Sequence, residues 1–365
     1  MPPRVLILVA VFAWLVNSPA FAQPKPAMEQ ILAKWKERQD KVLSARFVCE
    51  EEMTRPKGAT SRLLVGEPGV KPGAVYPPED HTYVTPLYFS LDGDKMRIDY
   101  RQLDWRETIK EFHHVYTFDG KSGKIIHDEK DSHPQGSIRT ENSNRHMLNF
   151  HVRAILMAYR PLHPRISPGG GAEYELTGRS AVVGGRKCLE VSAADRRGAQ
   201  VTRFLVDPGK GYLPARITLT ADRTDIATLD VEYAEHSDAG WVPTSWSLVI
   251  RQPKGWISES ARIKVTRHEI NVAIPQSEFD PEFPVGTYVV NVKTGENFIQ
   301  KEGGEKRTVP PSERSRSYEE LLNTPGPSRF GGLLTWPVMT AAAALAVSAV
   351  MIVVWWRYAR KRPSA

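Results

Sequence analysis

The segment AMEQILAKWKERQDKVLSARF sets Met28, Ile31, Leu32, Trp35, Gln39, Val42 and Leu43 three or four positions apart, which places them on one helical stripe. Such a helix needs a surface to cover. Nearly everything after it alternates instead: KMRIDY sets Met96, Ile98 and Tyr100 against charged neighbours, and FHHVYTF offers Phe112, Tyr116 and Phe118 to one side. TRFLVD, ARITLT, TLDVEY and TSWSLVI repeat this period of two, which predicts antiparallel strands with one buried face. Asp-Gly turns in LDGDK and FDGKSGK, and the glycines and prolines of VVGGRK and VDPGKGYLP, separate the strands into a meander. One stretch breaks the pattern. HMLNFHVRAILMAYRP puts Leu148, Val152, Ile155, Leu156 and Tyr159 on a helical face that Pro161 ends. Thr54 to Pro86 is rich in Gly and Pro and reads as a long loop. The expected fold class is mainly antiparallel β with helices, α+β.

The two ends carry a different pattern. Arg4, an apolar run from Val5 to Val16, and Ala20 and Ala22 framing Phe21 read as a secretory signal over residues 1–22, with maturation at Gln23. From Leu333 to Trp356 no residue is charged, a length that matches the roughly 20 apolar residues of a membrane-crossing helix. Trp336, Trp355 and Trp356 stand near its ends, and Arg357, Arg360, Lys361 and Arg362 follow, so residues 357–365 are expected as a short basic cytoplasmic tail. Between an exported domain at 23–300 and the span at 333–356, residues 301–332 are polar and Pro-rich and read as a flexible linker, with a short helical turn at Ser317 to Leu322. The expected location is a single-pass cell membrane protein whose domain faces the periplasm.

Charge narrows the function classes. The net charge of +7 includes Arg4 and the four basic residues after Trp356, so the exported part is near neutral, with interspersed signs. No nucleic-acid partner is expected from such a surface. Only two cysteines occur, Cys49 and Cys188; a disulfide between them is open in an oxidising compartment.

No G-x-S-x-G, H-E-x-x-H, S-x-x-K, C-x-x-C or phosphate loop is present, so neither an enzyme nor a cofactor is expected. His113 and His114 are adjacent and point to opposite faces of a strand, and His146 and His151 are off the one-face spacing of a helix. They read as surface or edge histidines, with no metal site. Glu50, Glu51 and Glu52 read as a solvated strand end. What remains is the apolar side of the strands: Met96, Ile98, Tyr100, Tyr116, Phe118, Phe204, Val206, Ile217, Leu219, Val231, Tyr233, Trp246 and Leu248, with Phe89, Leu229 and Ile250 beside them. It is either a filled core or, where the sheet curls, a concave ligand-binding face.

The order of the pieces resembles a known family. An amphipathic helix, a strand opening S-A-R-F and Asp-Gly hairpins are similar to the LolA-like outer-membrane lipoprotein-sorting family and its LolB and RseB relatives. RFLVDPGKGYLPARITLT resembles that family's strand, D-P-x-x-G-x-P turn and strand, LDVEYAEHSDAGWVPTSWSLVI its following hairpin, and IPQSEFDPEFPVGTYVVNVKTGENF its closing segment. The resemblance covers about Met28 to Phe298. It implies an unclosed, strongly curved β-barrel of about eleven antiparallel strands, with helices as a lid over an apolar concave face that in the carriers receives lipoprotein acyl chains. The expected function is a membrane-anchored periplasmic protein that binds lipid or a lipidated protein through that face. The alternative is an RseB-like regulatory or envelope scaffold that binds another protein and has no ligand cavity. The chain departs from the free carriers in its expected C-terminal anchor and its long early loop.

Overall fold

A computed structural model describes residues 28–59, 75–105, 109–129, 132–140, 150–167, 172–194, 200–252 and 255–323. The signal segment, the span and the basic tail expected from sequence lie outside these residues. Among the described residues no helix is long and apolar enough to cross a membrane.

In chain order the elements are α1 (Met28–Lys41), β1 (Ser44–Arg55), β2 (His81–Asp92), β3 (Lys95–Trp105), β4 (Ile109–Phe118), β5 (Ser122–Glu129), β6 (Gln135–Thr140), α2 (Arg153–Tyr159), β7 (Tyr174–Val183), β8 (Arg186–Ala194), β9 (Gln200–Asp207), β10 (Leu213–Ala221), β11 (Thr224–His236), β12 (Gly240–Arg251), β13 (Ile257–Ile270), β14 (Tyr288–Asn291), β15 (Glu296–Gln300), β16 (Lys306–Val309) and α3 (Tyr318–Asn323). The fold is mostly antiparallel β with few helices, as the alternation predicts. The described strands run to β16, not to about eleven. The expected loop from Thr54 to Pro86 is shorter too, because β2 begins at His81. There Tyr83, Thr85, Leu87 and Phe89 are buried while Val84 and Pro86 face out, an alternation that the flanking prolines mask in the sequence.

The chain forms two compact units in place of one domain at 23–300, each assembled from separated segments. The first takes in residues up to Leu63, Gly73–Val84 and Leu148–Val272. Its strands pair in the order β1-β13-β12-β11-β10-β9-β8-β7, with antiparallel neighbours throughout. Register builds the core in rows. Phe204 lies opposite Ile217, Ile217 opposite Leu229, Leu229 opposite Leu248, and Leu248 opposite Ala261. In α1, Ile31 and Trp35 are buried, and Trp35 Nε1 donates to the Tyr212 carbonyl at 2.8 Å. Leu43 is 63% exposed, since the helix ends at Lys41 and the stripe does not continue into β1. The second helix is shorter than its sequence pattern: a 3-10 turn at Phe150–Val152 leads into seven residues of α2, and residues 141–149 lie outside the described part. Every residue of α2 from Ala154 to Tyr159 is buried, as befits a helix apolar all round.

The second unit takes in Leu64–Pro72, Thr85–Met147 and everything from Ala273 on. Its strands run β2-β3-β4-β5-β6-β14-β15-β16. β14 pairs with β6 in parallel, an exception to the antiparallel expectation that no local pattern reveals. Val115, Ile126, Phe283, Val289 and Phe298 form one buried cluster, with Ile138 packed against it. Ile299, Val309 and Leu321 form another, with Tyr288 and Leu322. The expected flexible linker at 301–332 is therefore corrected over residues 301–323. β16 pairs with β15, the nearly buried Arg307 bonds Glu313 at 3.0 Å, and Leu321 of α3 is buried. The apolar residues that hold this segment down, Val309 and Leu321, are too widely spaced to show as a period.

Candidate functional site

Alternation decides where the predicted ligand face falls. In the first unit Phe204, Val206, Ile217, Leu219, Val231, Tyr233, Trp246 and Leu248 share the inner side of the sheet, and all are buried. α1 and α2 belong to this unit, and α2 packs on β10, β12 and α1. Trp246 is there because its alternation with Ser245 and Ser247 turns it inward; its indole Nε1 donates to the His151 carbonyl at 2.8 Å. The remaining predicted residues belong to the second unit, where Met96, Ile98 and Phe118 are buried and Tyr100 and Tyr116 are half-buried. The structure thus divides the predicted face between the two units.

On the apolar side of the first unit lies a charged group that the sequence reading placed at the surface. Phe47, Cys49, Glu51 and Met53 are in phase along β1, so the middle carboxylate of the Glu50 to Glu52 run points inward and is fully buried. Glu51 Oε1 bonds His151 Nδ1, and His151 Nε2 lies 3.4 Å from Glu259 Oε1, whose other oxygen is 3.4 Å from Arg55. Two carboxylates thus face one imidazole and one guanidinium. Burial alone would lower the His151 pKa; the Glu51 and Glu259 carboxylates override it and lift the imidazole to about 10, so it is a cation. Burial would raise Glu259, but His151 and Arg55 hold it below the usual carboxylate range. Glu51 Oε2 is buried with no hydrogen-bond partner. Neither the strand-end reading of Glu51 nor the surface reading of His151 holds. The signal that could have revealed Glu51 is its phase with Phe47, Cys49 and Met53.

A second polar link closes the other end of α2. Arg160, almost fully buried, donates to the carbonyls of Val42 at 2.7 Å, Leu43 at 2.6 Å and Tyr159 at 2.8 Å. It joins the end of one helix to the chain leaving the other. Charge-assisted donors to free helix-end carbonyls are among the stronger hydrogen bonds.

Cys49 and Cys188 are both free and both buried, so the disulfide left open by the sequence is not formed. They lie on β1 and β8, with β13, β12, β11, β10 and β9 between those strands in the sheet order. Burial and then the Glu51 carboxylate push the Cys49 thiol up to about 12.

The other face of the same sheet is polar. A groove of about 560 Å³ there includes Lys210, Arg216, Asp230 and Arg262 in its lining, and Arg216 forms a two-point pair with Asp230 at 2.5 and 3.0 Å. Among the described residues no group of three or more His, Cys, Asp and Glu side chains is placed to hold a metal.

No protein-family model matches the chain, and no curated protein does. Among solved structures it is similar to an outer membrane lipoprotein-sorting protein domain from Vibrio parahaemolyticus, at 12% identity over 70% of this chain and 97% of that one, TM-score 0.39. It is similar to a LolA superfamily protein from Nitrosomonas europaea, at 12% identity over 70% of this chain and 98% of that one, TM-score 0.41. A β-barrel-like protein of a domain of unknown function from Brucella abortus gives 8% identity over 63% of this chain and 99% of that one, TM-score 0.27.

Proposed function

We propose that this chain is an envelope protein whose first unit takes an acyl chain, from a lipid or a lipidated protein, onto the inner face of its sheet when α2 is displaced. The observation that carries this reading is how that face is covered. The helix in contact with β10 and β12 is only seven residues long, and its ends are tied by a few polar links: His151 to Glu51 and Glu259, Trp246 to the His151 carbonyl, and Arg160 to the Val42 and Leu43 carbonyls. An acyl chain replacing α2 on β10 and β12 would recover about 25 cal/mol for each Å² kept from water. In this reading residues 1–22 direct export, residues 333–356 hold the protein at the membrane, and residues 357–365 stay in the cytoplasm.

The test is photolabelling of the purified chain with a diazirine-bearing fatty acid and with a lipopeptide. Saturable labelling of residues around Trp246, increased in Arg160→Ala, is the expected outcome. A second reading is favoured by the complete burial of α2: a filled interior, with the protein acting as a scaffold for another protein. Labelling that never saturates, or that stays on the outer surface in both proteins, leaves that reading in place.

A further inference from the structure

Strands β3, β4 and β5 of the second unit carry a group of rings that the acyl-chain reading does not use. Tyr100 lies opposite His114 in the register, and His114 opposite His127. The His114 ring stacks on Tyr100 with centroids 5.0 Å apart and on Phe112 at 5.9 Å, and Tyr100 stacks on Tyr116 at 5.9 Å. These neighbours brace the His114 imidazole. His127 stands nearly perpendicular to it, at 84° and 4.7 Å between centroids, and the two Nδ1 atoms face each other at 2.5 Å.

The pair differs from the neighbouring histidine. His113, on the opposite face of β4, bonds Asp99 at 2.6 Å, and that carboxylate raises its pKa against the effect of burial. Burial, with the neighbouring His127 and His113, lowers His114, and burial followed by Arg139 lowers His127.

We propose that His114 and His127 form a two-histidine site for a divalent first-row transition metal ion, taking Cu²⁺ in preference to Zn²⁺. Metal–nitrogen bonds of about 2.0–2.1 Å put two nitrogens on one ion roughly 3 Å apart. Turning the two rings slightly away from each other reaches that separation, with each ring protonated on Nε2. No third His, Cys, Asp or Glu joins them among the described residues, so the other positions are left to water or to a donor from a partner. The preference follows the order of divalent affinities at imidazole sites. Neither the sequence reading nor the acyl-chain proposal depends on this site, which lies in the other unit.

The experiment is titration of the metal-free full chain with Cu²⁺ and with Zn²⁺, with electron paramagnetic resonance on the copper form. The expected result is one saturable equivalent of Cu²⁺ with two nitrogen ligands, bound more tightly than Zn²⁺. His114→Gln and His127→Gln should each weaken it by about 100-fold or more, since loss of even an outer partner costs roughly 10–100-fold. His113→Gln should leave it unchanged. To guard against variants that misfold, diethylpyrocarbonate modification of the unaltered chain should spare His114 and His127 only when Cu²⁺ is present. Absence of saturable binding, binding indifferent to both substitutions, or metal that leaves both rings open to modification would each overturn the site and leave the pair as a plain N–H···N hydrogen bond.

Discussion

Trp246 on β12 donates its indole N–H to the main-chain oxygen of His151 at 2.8 Å, fixing the turn that starts α2 to the middle of the sheet. Both residues are buried. Trp246→Phe keeps most of the ring and leaves that buried carbonyl without its donor, so it should cost about 1–3 kcal/mol in denaturant unfolding. Trp246→Ala should cost about 3–5 kcal/mol, the usual range for emptying a large aromatic site. No measurable loss for Trp246→Phe would show that the bond contributes nothing.

The Glu51–His151 pair should behave as a coupled unit. Removing one partner leaves a buried charge unpaired, so Glu51→Leu alone should lose about 3–5 kcal/mol, while Glu51→Leu combined with His151→Leu should recover most of it. The pH dependence follows from the raised imidazole. The folded pKa of about 10 stands above the ordinary 6.5, so the stabilisation is complete below about pH 6.5 and is lost as pH rises through 10. The groups facing the imidazole are Glu51, Glu259 and, through Glu259, Arg55. Unfolding measured from pH 6 to 10.5 should show a steeper loss in the unaltered protein than in His151→Gln. Parallel curves would refute the paired state.

Gly136 of β6 leaves no room for a side chain. A Cβ there would lie 2.6 Å from Phe283 and 3.0 Å from the Thr287 methyl. Gly136→Ala should cost about 1–3 kcal/mol through overpacking. The double change Gly136→Ala with Phe283→Leu should lose less than the sum of its parts. A thermal shift of less than about one degree for Gly136→Ala alone would contradict this packing.

Residues 306–323 should resist both exchange and cleavage. The amides of Lys306–Val309 are expected to exchange slowly because β16 pairs with β15, and limited proteolysis should leave the segment from Lys306 to Asn323 uncut. Arg307→Ala, which breaks the bond to Glu313, should speed exchange in this segment first. Rapid exchange from Lys301 onward in the unaltered chain would restore the linker reading.

Neither thiol should react in the native state. Cys49 is buried with its pKa pushed up to about 12, and Cys188 is buried and raised as well, by burial first and then by Asp207. Alkylation should therefore need denaturant and no reductant, because the two are not bonded to each other. A requirement for reductant would show a bridge between them.

Periodicity carried much of this fold. Ile31 and Trp35 fall on the buried side of α1 and Trp246 on the buried side of β12, as spacing alone predicts. What spacing missed has a physical cause in each case. The charge of Glu51 and of the glutamates beside it points to a solvated edge, but its phase with Phe47 and Met53 is the stronger signal. β14 joins β6 in parallel across a long separation in the chain, which leaves no trace in either short strand. Val309 and Leu321 bury a segment that is otherwise charged and proline-rich. The pairing of His114 with His127 depends on the register of β4 against β5, which alternation within one strand does not supply.

The parallel pairing of Gln135–Thr140 with Tyr288–Asn291 sets an order of assembly. As the chain emerges N-terminus first, β2 to β6 are made well before Phe283, Val289 and Phe298, the residues that cover Val115 and Ile126. The whole of β7 to β13 is made in between. Until the later segment arrives, an apolar sheet face and an unpaired strand edge stand open, and closing so long a loop is slow for reasons of chain entropy. A nascent chain that has passed residue 272 but not residue 300 is therefore the form most in need of a chaperone, and a ribosome stall in that window should send the protein to aggregation or degradation.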